Sequence, residues 1–367
     1  MSRIRFASNP DGLAQLQSEL MAVLNRMTTE VCGEAGIAPS RIFEAIFSGN
    51  TCMVHLAVGV DPEPLGKIPF TPTIRGGNHL PATDISLQIA PNGIVYLPEI
   101  ISAYVGADIS VGILAADLAA LSGVSLFIDI GTNGELVVAV DGLLTASATA
   151  AGPAFEGMNI SSGMRAASGA IERVSLNGDG TLEIGVISAA EPRGICGSGL
   201  MDLVALLLQQ GLIGPSGRFT VPAAALSTLV ERLEGEGAGR AFRVSPGVTL
   251  TQKDIRQVQL AKGAIRAGIE LLLESAAVSP SKLDRVLIAG SFGYHLSEES
   301  LLTLGLLPPE AVGKVSFLGN TSRSGGEMLL VNRTLRAELA SVVSRVTTVE
   351  LAANPCFERA FVEAMKF

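Results

Sequence analysis

One run constrains this chain more than any other: Phe127-Ile128-Asp129-Ile130-Gly131-Thr132-Asn133-Gly134-Glu135-Leu136. An apolar strand closes on Asp-x-Gly-Thr-x-Gly, and a second strand starts at once. Glycines without a Cβ let backbone N–H groups face an anion, and the Thr132 hydroxyl can add a hydrogen bond. A carboxylate at a strand end, Asp129, suits a hydrated Mg²⁺. The competing reading is a hairpin whose glycines satisfy turn geometry and nothing else. The rest of the chain has to decide between them.

Three further glycine turns bear on that decision. Val286-Leu287-Ile288-Ala289-Gly290-Ser291-Phe292-Gly293 is an apolar strand opening into small residues, where main chain can lie flat against a purine. Gly194-Ile195-Cys196-Gly197-Ser198-Gly199 directly precedes an apolar helix, whose exposed amides attract anions. Ala150 to Gly157 carries Gly152 and Glu156 toward the same mouth if the hairpin faces it. Taken singly, each fits an ordinary close-packed turn. Together they favour a nucleotide cleft. No G-x-x-x-x-G-K-[ST], no strand-following G-x-G-x-x-G and no G-x-S-x-G is present, which sets aside P-loop, Rossmann and α/β-hydrolase readings.

Organisation follows from periodicity. Helices are expected over Leu13–Val31, Met53–Val58, Val105–Leu121, Gly199–Gln210, Lys253–Ser275 and Ser324–Leu339. Strands are expected over Arg41–Phe47, Ile94–Leu97, Ser125–Ile130, Glu135–Val140, Leu143–Thr149 and Arg285–Ala289, with more inside Ala170–Ile187. Strands mixed with crossover helices make this an α/β chain. Its 367 residues, 48% hydrophobic and 17% charged, are core material for two or three domains. A net charge of −9 without a Lys/Arg cluster excludes a general nucleic-acid binder. Asp108 and Asp117 interrupt the longest apolar stretch and argue against a membrane span. The opening residues lack a signal-peptide core, so a cytoplasmic location is expected. Cys32, Cys52, Cys196 and Cys356 are scattered, with no iron–sulfur spacing, and read as reduced thiols. His55 reads as a core residue; His295, just beyond the glycine turn, is a weaker candidate to touch nucleotide.

The order of the motifs resembles the actin-like ATPase superfamily. Within it, the chain is similar to the C-terminal ATPase region of the reductive activators of corrinoid enzymes. The matching stretches are GNTCMVHLAVGVDPEPL (49–65), FIDIGTNGELV (127–137), TAAGPAFEGMNISSGMRAASGAIE (149–172), GICGSGLMDLV (194–204), LTQKDIRQVQLAKGAIRAGI (250–269), IAGSFGYHL (288–296) and GNTSRSGG (319–326). The resemblance implies a two-lobed actin-like (ribonuclease H-like) fold. Residues 1–122 would form a first lobe and 123–367 a second, with a C-terminal segment returning to the first. It implies ATP and Mg²⁺ as cofactors, with ATP hydrolysis coupled to reduction of a corrinoid protein from Co(II) to Co(I) in a methyltransferase system. Asp129 would hold the Mg²⁺–phosphate, and Gly131, Thr132, Asn133 and Gly134 would cradle phosphates. Gly290, Ser291, Phe292 and Gly293 would flank the adenosine. Gly152, Gly197, Ser198 and Gly199 would line the cleft. Glu135 and Glu156 are candidates to position water or Mg²⁺, or else to cap turns.

Complete family members begin with a [2Fe–2S] domain and carry an earlier DxGTT hairpin ahead of a segment like Ser2-Arg3-Ile4-Arg5. The chain opens at that segment, so its first lobe is expected to lack the opening strands, and hydrolysis to be impaired. An iron–sulfur module or reductase would then act as a separate electron-donating partner. Strands near Ile42–Phe47 and Ile94–Leu97 would expose an edge, which invites a homodimer. Two other functions stay open: a non-hydrolysing scaffold that docks the corrinoid protein and senses its oxidation state, and a small-molecule kinase of the same superfamily.

Overall fold

A computed structural model describes residues 2–290 and 296–367 of the chain. The chain divides into two compact units. One comprises Met1–Ser122, Asp141–Ala146 and Asn320–Thr348; the other comprises Gly123–Val140, Ser147–Gly319 and Val349–Phe367.

The first unit opens with α1 (Ser2–Ala7) and α2 (Gly12–Ala35). α2 runs four residues past the expected Val31 and stops at Gly36, whose φ of 67° closes the helix by returning its N–H to the Cys32 and Gly33 carbonyls. There follow β1 (Glu44–Ile46), α3 (Thr51–Ala57), β2 (Asn78–Pro81), β3 (Ile94–Leu97) and α4 (Ala107–Ala115). Asn50 caps α3 by accepting from the Cys52 N–H, which starts the helix ahead of Met53. α4 ends well before the expected Leu121. Asp117 turns left-handed at φ 51°, and Leu118 N–H closes onto the Ile113 carbonyl at 3.1 Å. β3 pairs in parallel with β1 and antiparallel with β2. Ile94–Leu97 is therefore not an exposed edge, contrary to the sequence expectation: the Asn78–Pro81 strand, hidden in a Pro/Gly-rich stretch, covers it. Val95, Leu97, Val54, Met21 and Ile85 form the core beneath this sheet.

The second unit is built on β4 (Val124–Ile130), β5 (Gly134–Val140) and β6 (Leu143–Thr149), the last lying in this unit from Ser147 onward. β4 and β5 are antiparallel, with Asp129 opposite Glu135. Asp141 and Gly142 take φ of 48° and 79°, the paired left-handed conformations of a tight hairpin turn. β7 (Ala170–Leu176), β8 (Leu182–Val186) and β9 (Gly194–Ile195) make a small sheet ahead of α5 (Gly197–Gln209). After α6 (Ser227–Val230), the strands β10 (Leu233–Glu234), β11 (Ala241–Ser245) and β12 (Val248–Thr251) form an antiparallel meander that the sequence reading did not anticipate. α7 (Gln252–Ser275) then crosses back to β13 (Arg285–Ala289), parallel to β4. α8 (Glu298–Thr303) leads to β14 (Val315–Gly319), parallel to β13.

α7 can lie close on the sheet because of two glycines. A Cβ on Gly134 would meet Ile265 at 2.8 Å, and one on Gly268 would meet Thr149 at 2.4 Å. Ile255, Val258, Ile265, Ile269 and Leu272 of α7 thereby bury against Ile128, Ile130, Leu136 and Val138. Each such side chain contributes about 1.5–3 kcal/mol relative to exposure.

The chain ends with α9 (Thr321–Val331), α10 (Thr334–Val343) and β15 (Thr347–Thr348) of the first unit, and α11 (Phe357–Ala364) of the second. β15 pairs in parallel with the Thr145–Ala146 part of β6. The helix expected over Ser324–Leu339 is two helices. Asn332 leaves the helical region at φ −139°, and its Oδ1 accepts from the N–H and the hydroxyl of Thr334 at 3.0 and 2.7 Å. This local turn competes with helix continuation. α9 lies against α4, where a Cβ on Gly325 would fall 2.2 Å from the Val111 carbonyl.

His55 is a core residue, fully buried. Its Nδ1 lies 2.8 Å from the Thr51 carbonyl. Its Nε2 accepts from the N–H groups of Thr73 and Ile74 at 3.1 and 3.2 Å. That arrangement requires a neutral ring protonated on Nδ1. Burial holds its pKa below the usual histidine value, against the opposing pull of the Thr51 carbonyl and Asp61. The unfolded chain therefore binds the proton more readily than the folded one. This contribution to stability is complete above the unfolded value of about 6.5 and is lost as pH falls below it toward the folded pKa. Thermal unfolding followed from pH 8 to 5 should show a falling midpoint below about pH 6.5. The His55→Gln variant should show a flatter profile, and an identical profile would remove His55 as the cause.

Candidate functional site

The β4–β5 hairpin presents its turn at the carboxyl end of β4, next to the end of the parallel strand β13. Asp129 sits opposite Glu135 on one side and Ala289 on the other. Gly290 follows with φ 104°, and a Cβ there would fall 2.7 Å from the Ile130 carbonyl and 3.0 Å from Asp129 Oδ1. Only glycine fits that approach, so the main chain of the second turn lies directly against the carboxylate of the first. Gly290 N–H is held by the Gly319 carbonyl at 3.0 Å.

Within the hairpin turn, Gly131 N–H donates to the Asn133 carbonyl at 2.9 Å, and Asn133 Nδ2 donates to Glu135 Oε1 at 3.2 Å. Glu135 is buried. The exposed Thr132 hydroxyl donates to Glu156 Oε1. Glu156 ends a short 3₁₀ turn, Pro153–Glu156, framed by Gly152 (φ 77°) and Gly157 (φ 74°). That turn packs on α5 and α7. The structure thus brings together Asp129, Gly131, Thr132, Asn133, Gly134, Glu135, Glu156 and Gly290. Of these, Gly134 is taken up by the contact with α7, and Glu135 and Glu156 both hold turn residues.

Gly197, Ser198 and Gly199 form the buried first turn of α5. The Ser198 hydroxyl donates to the Glu172 carbonyl at 2.9 Å, and a Cβ on Gly199 would fall 2.2 Å from the Ile171 carbonyl. These side chains serve the packing of α5 on β7, so what the turn can offer a ligand is its main chain. Ser291, Phe292, Gly293 and His295 lie outside the described residues.

Some residues escaped the sequence reading. Asp254 is fully buried. Its Oδ1 accepts from the Ser161 N–H at 2.8 Å and the Ser161 hydroxyl at 3.1 Å. Its Oδ2 accepts from the Thr251 N–H and hydroxyl, both at 2.8 Å. It closes a capping box at the start of α7, for which the spacing Thr251-x-x-Asp254 was an available signal. Beside it, Lys253 and Gln257 of α7 line a cavity of about 460 Å³ with Asn159, Ile160 and Ser161, just downstream of Glu156. In the first unit, burial pushes two carboxyls upward: Glu99, which accepts from the Tyr96 hydroxyl at 3.3 Å, and Asp108, pushed up to about 6. Such carboxyls are candidates for proton handling. Glu99 directly follows the β3 strand end, Leu97-Pro98, a position that could have been marked.

The donor set can be tested against Mg²⁺. A strand-end carboxylate beside main-chain groups matches a cation that keeps several waters and takes one or two carboxylates. A closed protein cage is not needed. Among the described residues, no group of three or more His, Cys, Asp or Glu side chains could hold a metal ion by itself. The four cysteines are free. No described helix is long and apolar enough to cross a membrane.

An antiparallel hairpin flanked by a parallel strand, with glycine turns at one end and a returning helix behind, is an arrangement of the actin-like (ASKHA) fold class. Comparison with known proteins gives the same class: residues 123–367 match the profile described as the C-terminal domain of RACo, the ASKHA domain, and residues 1–120 match the RACo middle region. The chain belongs to this family of corrinoid reductive activators. It is 33% identical over 99% of its length to the corrinoid activation enzyme RamQ of Eubacterium limosum, of which it covers 62%. It is 29% identical over 76% of its length to a [Co(II) methylated amine-specific corrinoid protein] reductase of Methanosarcina barkeri, of which it covers 52%. The solved structure of a reductive activator for corrinoid, iron–sulfur protein superposes with a TM-score of 0.91 at 36% identity, covering all of this chain and 59% of that one. The chain therefore spans about three fifths or less of the length of these relatives.

Proposed function

We infer that this chain is the nucleotide- and partner-binding part of an ATP-dependent reductive activator, which returns a corrinoid protein from Co(II) to Co(I) in a methyltransferase system. The observation that carries the reading is the approach of Gly290 to Asp129, where a Cβ would lie 3.0 Å from the carboxylate. A strand-end carboxylate pressed against a second glycine turn is suited to a magnesium–triphosphate. It is poorly explained as packing.

Asp129 would hold the hydrated cation. When bound, Mg²⁺ neutralises charge on the phosphates and orients them. The N–H groups of Thr132 and Asn133 would face the phosphates, Gly131 N–H being held by the Asn133 carbonyl, and Thr132 and Glu156, already hydrogen-bonded to each other, would position an attacking water. The main chain at Gly290 would border the adenosine side of the site. The redox step is a one-electron transfer from an iron–sulfur donor to cobalt, and ATP hydrolysis supplies the difference in potential by favouring one conformational state of the complex over another. The four cysteines of these 367 residues are scattered, so in this reading the electron comes from an iron–sulfur module outside them.

The test mixes the full chain with a corrinoid protein poised in Co(II), a reduced [2Fe–2S] donor and Mg-ATP, and follows the visible absorbance of Co(I). Co(I) should accumulate only with chain, donor and ATP together. ATP-independent binding that discriminates Co(II) from Co(I), without turnover, would establish the scaffold instead.

A further inference from the structure

The meander β10–β12, the Ser216–Phe219 loop and the start of α7 enclose a cavity of about 660 Å³, separate from the hairpin and its glycine turns. Its lining includes Arg218, Arg240 and Arg256 and no carboxylate. Gln252, Arg256 and Gln259 stand at i, i+4 and i+7 on one face of α7. Lys253 and Gln257 line the other cavity, with Asn159 to Ser161. The two cavities thus use different faces of the helix.

The wall is built from groups already committed to one another. Gln252 donates to the Gly217 carbonyl at 2.6 Å and accepts from the Phe219 N–H at 3.1 Å. Gln259 donates to the Met365 carbonyl at 3.0 Å, and its amide fills the space beside Gly217, whose φ is 79°. The arginines are in the opposite condition. Arg240 Nε is buried with no hydrogen-bond partner. No ion pair to Arg218, Arg240 or Arg256 occurs among the described residues. A buried guanidinium donor left unmade is costly, and the exposed Arg218 and Arg256 bring two more cationic groups to the same space, which an anion entering it would bridge. In a chain of net charge −9, this local excess of cation is not a property of the surface at large.

We propose that this cavity is a binding site for a small molecule bearing two or more oxyanionic groups, phosphate or carboxylate, held by charge-assisted hydrogen bonds from Arg218, Arg240 and Arg256. The volume exceeds what one phosphate needs and falls within the about 300–1,000 Å³ usual for small-molecule pockets. The site is independent of the nucleotide role of the hairpin. Because α7 carries Arg256 at one end and packs on the hairpin sheet further along, an anion here acts on the same helix that backs the hairpin.

The experiment is calorimetric titration of the full chain with inorganic pyrophosphate, and separately with citrate, in magnesium-free buffer at low salt. Saturable binding of at least one is expected, weakened at least about tenfold in Arg240→Gln and in Arg256→Gln, and falling as salt rises. Pyrophosphate alone would assign the site to phosphate esters, and citrate alone or both to the wider oxyanion class. Arg256 is exposed, so R256Q keeps the test valid should R240Q fold poorly; circular dichroism reports the fold of each. Wild-type affinity in R256Q, or no uptake of either anion by the wild type, overturns the proposal.

Discussion

Replacing Asp254 by alanine is expected to lower the unfolding free energy of the second unit by about 2–5 kcal/mol, since it leaves two buried main-chain donors unsatisfied at about 1–3 kcal/mol each. The carboxylate accepts four hydrogen bonds, two from Ser161 and two from Thr251, with no exposure to water. Alanine orphans two main-chain N–H groups, removes the cap of α7 and leaves a void. A cap alone accounts for about 1 kcal/mol; the remainder comes from the buried tie to the Ser161 loop. Asparagine at the same position keeps one acceptor and the volume, so Asp254→Asn should lose less than Asp254→Ala. Urea unfolding followed by circular dichroism measures both. A loss under about 1 kcal/mol for the alanine variant would reduce Asp254 to an ordinary exposed cap.

Local chemistry explains what could be read in the sequence. The hairpin Phe127–Leu136, the turn at Asp141-Gly142 and the helix from Lys253 to Ser275 were legible because each depends on neighbours within a few residues. Register, turn type and apolar period all point one way there. The α9–α10 break at Asn332 was missed although its cause is local, because the apolar period continues across it. Other misses have causes that are not local. Asp254 meets Ser161 across 93 positions. The arginine cavity gathers three segments whose only shared signal is a single arginine in each. The meander β10–β12 has strands as short as the Leu233–Glu234 pair, too short for alternation to register. The pairing of β3 on both sides was hidden because β2 lies in a Pro/Gly-rich stretch that reads as loop. At the site, the glycines were recognised but not sorted. Geometry alone separates Gly290, which admits a backbone to a carboxylate, from Gly134 and Gly199, which admit one secondary element to another.

Asp129→Asn carries the largest expected effect on activity. Asparagine keeps the size and shape of the side chain, so the crowded contact with Gly290 survives and the fold should be unchanged. What it removes is the negative charge that makes this strand end attractive to Mg²⁺. Metal-dependent nucleotide binding should weaken, and any ATP turnover by the full chain should fall by about 10²–10³-fold, the size of loss found when one preorganised electrostatic contact to a transition state is removed. Binding of nucleotide in EDTA should change far less, because the Thr132 and Asn133 amides and the main chain at Gly290 do not depend on the metal. The difference between the two titrations is the readout that separates a metal-holding role from a structural one, since a damaged fold would lower both. Glu156→Gln gives the complementary case. Its carboxylate accepts from the exposed Thr132 hydroxyl, so its loss should reduce turnover while leaving magnesium-dependent affinity near the wild-type value. If D129N retained metal-dependent affinity and E156Q lost it, the cation would belong on Glu156, and the Thr132–Glu156 pair, not the Asp129–Gly290 contact, would be the centre of the site.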